Sequence, residues 1–151
     1  MNHIPALIPR IALWLAFVMA ITLAGVARPA HADLLTPADE QAVRATVQGQ
    51  LAAFAADDAN KAFSYAAPAV REAMGSAANF MAMVRNGYPV VYRPASVAFL
   101  KPDMKDGQVV QRVQMVDARG DAWLAVYTLE RAGKGWLISS CTVVENKGRM
   151  A

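Results

Sequence analysis

The spacing of apolar residues changes once along the chain, from a helical period to an alternating one. Val43, Val47, Leu51 and Phe54 recur at intervals of four, four and three residues, which places them on one face of a helix. After Pro89 the apolar residues alternate with polar ones, which is typical of strands that bury one face. The pattern therefore predicts a helical part followed by a sheet.

Capping residues divide the helical part into three clear helices. The first begins after Thr36 and runs for about five turns. Asp58 can cap a second helix over residues 59–67, and a short turn over residues 68–74 follows it. A third helix is predicted over residues 77–85, where an apolar face lies between a Ser cap and an Asn-Gly stop.

Extended segments separated by turns make up the second part of the chain. The turns are indicated by runs rich in Pro, Asp and Gly, which favour chain reversals. The predicted extended segments cover residues 91–93, 96–100, 109–116, 122–131 and 136–144. Consecutive hairpins predict an antiparallel sheet, and helices followed by strands predict the α+β class.

The first 32 residues have the features of a cleavable export signal. Arg10 precedes an apolar run over residues 11–27, and Ala30-His31-Ala32 matches the small-residue pattern that signal peptidase requires. We expect cleavage after Ala32 and a periplasmic or secreted product. The alternative is an uncleaved N-terminal anchor, which would be the only membrane contact. Residues 33–146 are then a single α+β domain, and residues 147–151 a disordered tail.

Composition excludes several classes of protein. Both histidines, His3 and His31, lie in the export signal, so we expect the exported chain to lack histidine. Without histidine the chain has no Ser-His or Cys-His nucleophile pair and no histidine-based zinc site. The sequence has no nucleotide-binding loop or metal-binding pattern, so we expect no cofactor and no metal. Basic and acidic residues alternate without a basic run, which argues against nucleic-acid binding.

Cys141 is the single cysteine of the chain, so it cannot form an internal disulfide. Its position inside a predicted strand favours the role of a small buried hydrophobic residue. A reactive thiol and a covalent dimer through Cys141 are the alternatives, and both require that the side chain is exposed.

The order of several short motifs resembles one family of exported bacterial proteins. The motifs are Phe54-Ala-Ala-Asp57-Asp58-Ala59, Ala62-Phe63-Ser-Tyr65-Ala66-Ala-Pro68, Tyr88-Pro89-Val-Val-Tyr92-Arg93-Pro94 and Trp136-Leu-Ile-Ser-Ser-Cys141. Over residues 41–144 they resemble the domain of unknown function 4864 (DUF4864), a family without an established activity. The resemblance implies a fold similar to nuclear transport factor 2 (NTF2), with three N-terminal helices packed in a curved, cone-like antiparallel sheet. Some proteins with that fold are isomerases or dehydratases, and others bind ligands or dimerise.

Aromatic side chains provide most of the candidate binding residues. Tyr and Trp bring a polar group to an otherwise apolar pocket, which suits a small amphipathic ligand. Arg93 is the best candidate for an anion contact, and the alternative for it is an internal salt bridge to Asp57 or Asp58. The candidate ligand-binding residues are Phe54, Phe63, Tyr65, Phe80, Tyr88, Tyr92, Arg93, Trp123 and Tyr127.

Two functions from different classes are compatible with these residues. The first is an exported, non-enzymatic module that binds a small apolar ligand or a protein partner, with homodimerisation through the sheet as one form. The alternative is a cofactor-free proton-transfer enzyme of the isomerase or dehydratase type. In that enzyme Asp57 or Asp58 would be the base, and Tyr65 or Tyr92 would donate a hydrogen bond to the substrate.

Overall fold

The computed structural model describes residues 34–148, which form five helices followed by five strands. The helices are α1 (Pro37–Ala55), α2 (Ala59–Ser64), α3 (Pro68–Met74), α4 (Ala77–Gly87) and α5 (Pro89–Tyr92). The strands are β1 (Ser96–Phe99), β2 (Asp103–Lys105), β3 (Gln108–Val116), β4 (Ala122–Ala132) and β5 (Gly135–Glu145). The predicted export signal and most of the predicted tail lie outside the described residues.

The α+β class is confirmed, but the prediction of three helices packed in a cone-like sheet of the NTF2 type is wrong. The described residues contain five N-terminal helices and a C-terminal antiparallel sheet of five strands. The sheet is open, with the order β1-β3-β4-β5 and with β2 also pairing with β3. The extra helices are α3, where a turn was expected, and α5, where extended chain was expected. Pro89 opens α5 because its fixed φ suits a first helical turn, and Arg93 N–H closes that turn on the Pro89 carbonyl at 3.0 Å.

Three of the helices begin at the caps that the sequence predicts. The Thr36 hydroxyl accepts from the Asp39 N–H at 3.0 Å, and the Asp39 carboxylate accepts in return from the Thr36 N–H. Asp58 caps α2 and Ser76 caps α4 in the same way, each accepting from the N–H three residues ahead. These hydrogen bonds confirm the three predicted caps. Each such cap contributes about 1 kcal/mol to stability.

The helices pack on one face of the sheet, and the core lies between the two layers. Val43 and Val47 of α1 are fully buried together with Val113 of β3 and Leu129 of β4. The Thr46 hydroxyl also donates to the Trp136 carbonyl at 3.3 Å, which ties α1 to β5. The apolar stripe predicted on the first helix is therefore the face that meets the sheet.

An extra residue interrupts the pairing of β4 with β5. Leu129 pairs with Ile138, whereas the preceding Thr128 pairs with Ser140, so Ser139 has no partner of its own. The Ser139 hydroxyl donates to the Thr128 carbonyl at 3.0 Å and holds this β-bulge in place. Because a bulge changes the phase of a strand, the residues after Ser140 present the opposite set of side chains to the helices.

The link between α2 and α3 covers the outer edge of β5 beside the bulge. The Ile138 N–H donates to the Tyr65 carbonyl at 2.9 Å, and the Ala67 N–H donates to the Ile138 carbonyl at 2.8 Å. Ala66 forms a parallel bridge with Ile138. These main-chain bonds fix the helical layer against the last strand.

The contact between Gly49 of α1 and the phenol ring of Tyr65 generates a stability prediction. A Cβ on Gly49 would overlap that ring, since even its Cε1 atom would lie only 3.0 Å away. Replacing a helical Gly by Ala ordinarily stabilises a protein by up to about 1 kcal/mol. Gly49→Ala is instead expected to destabilise this one by about 1–3 kcal/mol, because the overlap forces the ring to move.

Urea unfolding of Gly49→Ala, alone and in a Tyr65→Ala background, measures this effect. Without the ring, the substitution is expected to show the usual stabilising effect of Ala. Gln48→Ala, at the exposed neighbouring position, is the matched control for helix propensity. A stabilising Gly49→Ala substitution in the wild-type background would contradict the close contact.

Candidate functional site

An apolar cavity of about 110 Å³ lies between the helices and the inner face of the sheet. This volume is comparable to engineered cavities of about 150 Å³ that hold a benzene molecule. Within the described part of the chain, no residue that lines the cavity carries a charge. The lining residues are Gln50, Phe54, Ala66, Val70, Phe80, Met83, Val84, Tyr88, Val91, Tyr127, Ile138, Ser140 and Cys141.

Packed aromatic rings form the rigid wall of the cavity on the helical side. The ring of Phe80 in α4 lies 5.7 Å from that of Phe54 in α1 and 5.6 Å from that of Phe63 in α2. These tilted arrangements are among the favourable geometries for aromatic pairs. Phe54 and Phe80 line the cavity, whereas Phe63 packs against Phe80 and does not line it.

Tyr127 brings a polar group to the sheet side of the cavity. Its side chain is fully buried, and among the described residues its hydroxyl has no hydrogen-bond partner of standard geometry. The Cys141 thiol faces it across the β4–β5 pair. Burial is the main cause that raises the pKa of Tyr127 well above 10.0, so the hydroxyl stays protonated. Tyr127 is therefore a neutral donor on the wall of an apolar cavity.

Cys141 reaches the cavity because of the bulge at Ser139. Its register partner is Tyr127, and both residues line the cavity. Burial raises the pKa of the Cys141 thiol to about 12, although the neighbouring Tyr127 hydroxyl partly opposes this shift. The side chain is therefore a neutral thiol at physiological pH, in line with the predicted role of a small, mostly buried hydrophobic residue.

Gln50 and Ser140 are polar lining residues that the sequence reasoning missed. Gln50 is buried, and its Nε2 donates to the Ala62 carbonyl at 3.2 Å. It lies three residues after Val47 on the apolar stripe of α1, so a polar residue on a buried face was a usable signal. Ser140 follows Ile138 by two residues, so alternation along the strand was the signal that places it on the same face.

Asp57 is the centre of an exposed cluster that lies apart from the cavity. Its Oδ2 accepts from Arg93 at 3.0 Å, and its Oδ1 accepts from Arg85 at 3.3 Å and from the Tyr92 hydroxyl. Both guanidinium groups also lie over the Tyr92 ring, at 5.4 Å for Arg85 and 4.9 Å for Arg93. The hydrogen bond from Tyr92 is the main cause that lowers the pKa of Asp57. Arg93 thus forms the internal salt bridge that was its alternative role.

A wider groove of about 500 Å³ lies beside the cavity, and Tyr88 lines both. The Trp123 indole lines this groove and donates to the Asp117 carboxylate at 2.9 Å. This hydrogen bond is the main cause that lowers the pKa of Asp117. Arg93 also lines the groove, so its side chain connects the groove to the Asp57 cluster.

The structure divides the predicted ligand-binding residues into three groups. The cavity is lined by Phe54, Phe80, Tyr88 and Tyr127. The groove is lined by Tyr88, Arg93 and Trp123. Neither space is lined by Phe63, Tyr65 or Tyr92, nor by the candidate bases Asp57 and Asp58.

The described residues show no arrangement for a bound metal and no helix of membrane-spanning character. Over residues 34–148, no three side chains among His, Cys, Asp and Glu are grouped so that they could hold a metal ion. In the same range no helix combines the length and the apolar character needed to cross a bilayer.

Comparison with known proteins identifies a family and no functional relative. A family model described as domain of unknown function (DUF4864) matches residues 36–151. No curated protein and no solved structure matches the chain. The match covers all five helices and all five strands.

Cys141 is expected to be alkylated slowly, because burial raises the pKa of its thiol. The pKa of this thiol is raised from 9.0 to about 12. Near pH 8 its thiolate fraction is therefore about a thousandfold below that of a free thiol. Since the chain has one cysteine, mass spectrometry after iodoacetamide treatment measures this site alone. The protein unfolded in urea is the control, and equal rates in the folded and unfolded protein would contradict the buried thiol.

Acid unfolding tests the Asp57 cluster. Because the folded pKa of Asp57 lies below 3.8, its stabilising effect is fully present above that pH and is lost as the pH falls through the folded pKa. Asp57→Asn is expected to lower the free energy of unfolding at neutral pH, with a difference that shrinks in acid. Asn tolerates the left-handed φ of 54° at this position, so the variant removes charge without adding strain.

Asp57→Ala is the matched control for the backbone at the same site. It loses the same ion pairs and also strains the left-handed backbone, so part of its destabilisation should persist in acid. Free energies of unfolding measured against pH separate the two contributions. A deficit of Asp57→Asn that does not change with pH would contradict a stabilising carboxylate.

Proposed function

The chain belongs to the DUF4864 family, and from that premise we propose that it is a non-enzymatic module that holds the uncharged, largely apolar part of a small ligand in the cavity. The observation that carries the proposal is the unpartnered hydroxyl of Tyr127 on the cavity wall. The part of the ligand inside the cavity then consists of an apolar body and one hydrogen-bond acceptor that meets this hydroxyl.

The energetic reason is the cost of an unpaired buried donor. A buried hydroxyl without a partner costs about 1–3 kcal/mol, because it loses water and gains nothing in return. A ligand with an acceptor atom next to Tyr127 recovers most of that loss. The same cost disfavours ligands without an acceptor, which gives the cavity selectivity as well as affinity.

The size and charge of the cavity limit the class of ligand further. Its volume of about 110 Å³ admits a body the size of a six-membered ring rather than a drug-sized molecule. The pKa values of Tyr127 and Cys141 are both raised, so these two lining side chains stay neutral. A charged group inside the cavity would lose its water without meeting an opposite charge, so the part of the ligand inside it is uncharged.

The predicted export signal is the basis for the proposed location of the protein. Arg10, the apolar run over residues 11–27 and the Ala30-His31-Ala32 motif support cleavage and a periplasmic or secreted product. A protein partner, including a second copy bound through the sheet, stays a prediction that none of the described residues tests.

The enzyme alternative receives no support from the geometry of the described residues. It requires Asp57 or Asp58 within hydrogen-bond reach of the substrate. Neither acid lines the cavity, since both lie at the junction of α1 and α2. Asp58 caps α2, and the side chain of Asp57 accepts from two arginines and a tyrosine. The arrangement favours binding over proton transfer.

The proposal is tested by the affinity of acetophenone for the wild-type protein and for Tyr127→Phe. Acetophenone combines a ring with one carbonyl acceptor, and isopropylbenzene has the same number and connectivity of heavy atoms without the acceptor. Loss of one hydrogen bond is expected to weaken acetophenone binding by about 1 kcal/mol, which is about five- to tenfold. Isopropylbenzene binding should not weaken. NMR titration of the cavity amide resonances measures both affinities.

The stability of the same variant gives an independent readout. Removing an unpartnered buried hydroxyl is expected to stabilise the free protein by about 1 kcal/mol, so stability and acetophenone affinity change in opposite directions. Tyr65→Phe is the control, because Tyr65 does not line the cavity. Equal acetophenone affinity in the wild-type protein and Tyr127→Phe, or no binding to either, would contradict the proposed function.

A further inference from the structure

We infer that the groove is the second half of the same site and that it holds the carboxylate of an amphipathic ligand. This inference rests on the proposed function, because it assumes that the apolar body of the ligand occupies the cavity. The ligand class is then an acid with a compact apolar body and an acceptor oxygen at the opposite end, such as an aromatic oxo acid.

The cavity and the groove are adjacent along α5 and β5. Tyr88 lines both of them. On α5, Val91 lines the cavity and its neighbour Val90 lines the groove. On β5, Cys141 lines the cavity and Val143, two residues further on the same face, lines the groove. A ligand that extends past the Tyr88 side chain therefore leaves one space and enters the other.

The groove has the size and the walls of a small-molecule site. Its volume of about 500 Å³ is within the range of about 300–1,000 Å³ that is typical of ligand pockets. Pro89, Val90, Val143 and the Trp123 ring provide apolar surface. The charged residues that line it are Arg93, Asp117 and Arg119.

The acceptor capacity of the groove is already used within the protein. The Asp117 carboxylate accepts from the backbone N–H groups of Arg119 at 2.9 Å and Asp121 at 3.0 Å. Its other oxygen accepts from the Trp123 indole at 2.9 Å. With three donors on its two oxygens, Asp117 offers little to a ligand and is electrostatically compensated.

The donor capacity of the groove is largely unused. Arg93 contacts Asp57 through one terminal nitrogen at 3.0 Å, and Arg119 contacts Asp121 through one terminal nitrogen at 3.2 Å. A guanidinium has several further N–H donors in a planar fork that matches a carboxylate. A groove with spare donors and occupied acceptors selects an anionic acceptor. Of the two arginines, Arg93 is nearer in sequence to Tyr88, the residue that lines both spaces, because it follows Tyr88 by five residues whereas Arg119 belongs to the turn after β3.

A pair of probes that differ only in charge tests this inference. The probes are para-acetylbenzoate and para-acetylbenzamide, which share the ring and the ketone of acetophenone. In the wild-type protein at low ionic strength, the carboxylate is expected to bind about tenfold more tightly than the amide. Arg93→Gln is expected to abolish that preference, because it weakens carboxylate binding far more than amide binding. Calorimetry on the full chain gives the affinities, and the Trp123 indole resonance reports occupancy of the groove.

Arg85→Gln is the matched control variant. Arg85 bonds to the same Asp57 carboxylate and lies over the same Tyr92 ring, but it does not line the groove. This variant should keep the preference for the carboxylate probe. An equal loss of preference in Arg85→Gln and Arg93→Gln would assign the effect to the Asp57 cluster and overturn the inference.

The outcomes also separate this inference from the proposed function. If both probes bind equally to the wild-type protein and Tyr127→Phe weakens both, the proposed function stands and the anionic half of the site is overturned. If carboxylate binding depends on Arg93 and not on Tyr127, the joined site is overturned together with the proposed function. Dependence of the carboxylate probe on both residues, with the amide dependent mainly on Tyr127, supports the inference.

Discussion

The extra residue in β5, Ser139, decides which side chains of the last strand reach the interior. Strict alternation after Ile138 would present Ser140 to the helices, whereas the bulge presents Cys141 there as well. Ile138 is also the residue whose main chain bonds to the link between α2 and α3. The helical layer is therefore attached to the sheet at the point where the strand changes phase. The cavity lies where these two constraints meet.

The parts of the fold that depend on interactions between residues close in sequence could be predicted. Thr36, Asp58 and Ser76 each cap a helix through a bond to a backbone N–H three residues ahead, and this chemistry is visible in the sequence. The turn of α5 could not be predicted in this way. A run of Val-Val-Tyr after Pro89 fits a strand as well as a helix, and bonds back to the Tyr88 carbonyl decide between them.

The candidate site could be predicted by residue type and only partly by position. Phe80 and Tyr127 line the cavity because α4 and β4 present them to each other, and periodicity within each element supports that placement. Tyr65, which follows α2, and Tyr92 of α5 have the same chemistry but lie elsewhere, since both helices are too short for periodicity to show which face is buried. Tertiary packing alone determines the position of such residues.

Charge is separated from the cavity throughout this part of the molecule. The arginine cluster around Asp57 ties the α1–α2 turn to α4 and α5, and ionised groups remain exposed there. The cavity keeps only neutral polar groups, of which the Tyr127 hydroxyl has no partner. This division is what an apolar ligand with one acceptor requires.

Binding through the Tyr127 hydroxyl is tested most directly by a crystal structure of the protein with acetophenone. The expected result is a ring inside the cavity, with the carbonyl oxygen about 2.7–2.8 Å from the Tyr127 Oη. Acetophenone bound elsewhere, or bound in the cavity with its carbonyl turned away from Tyr127, would contradict the role of this hydroxyl.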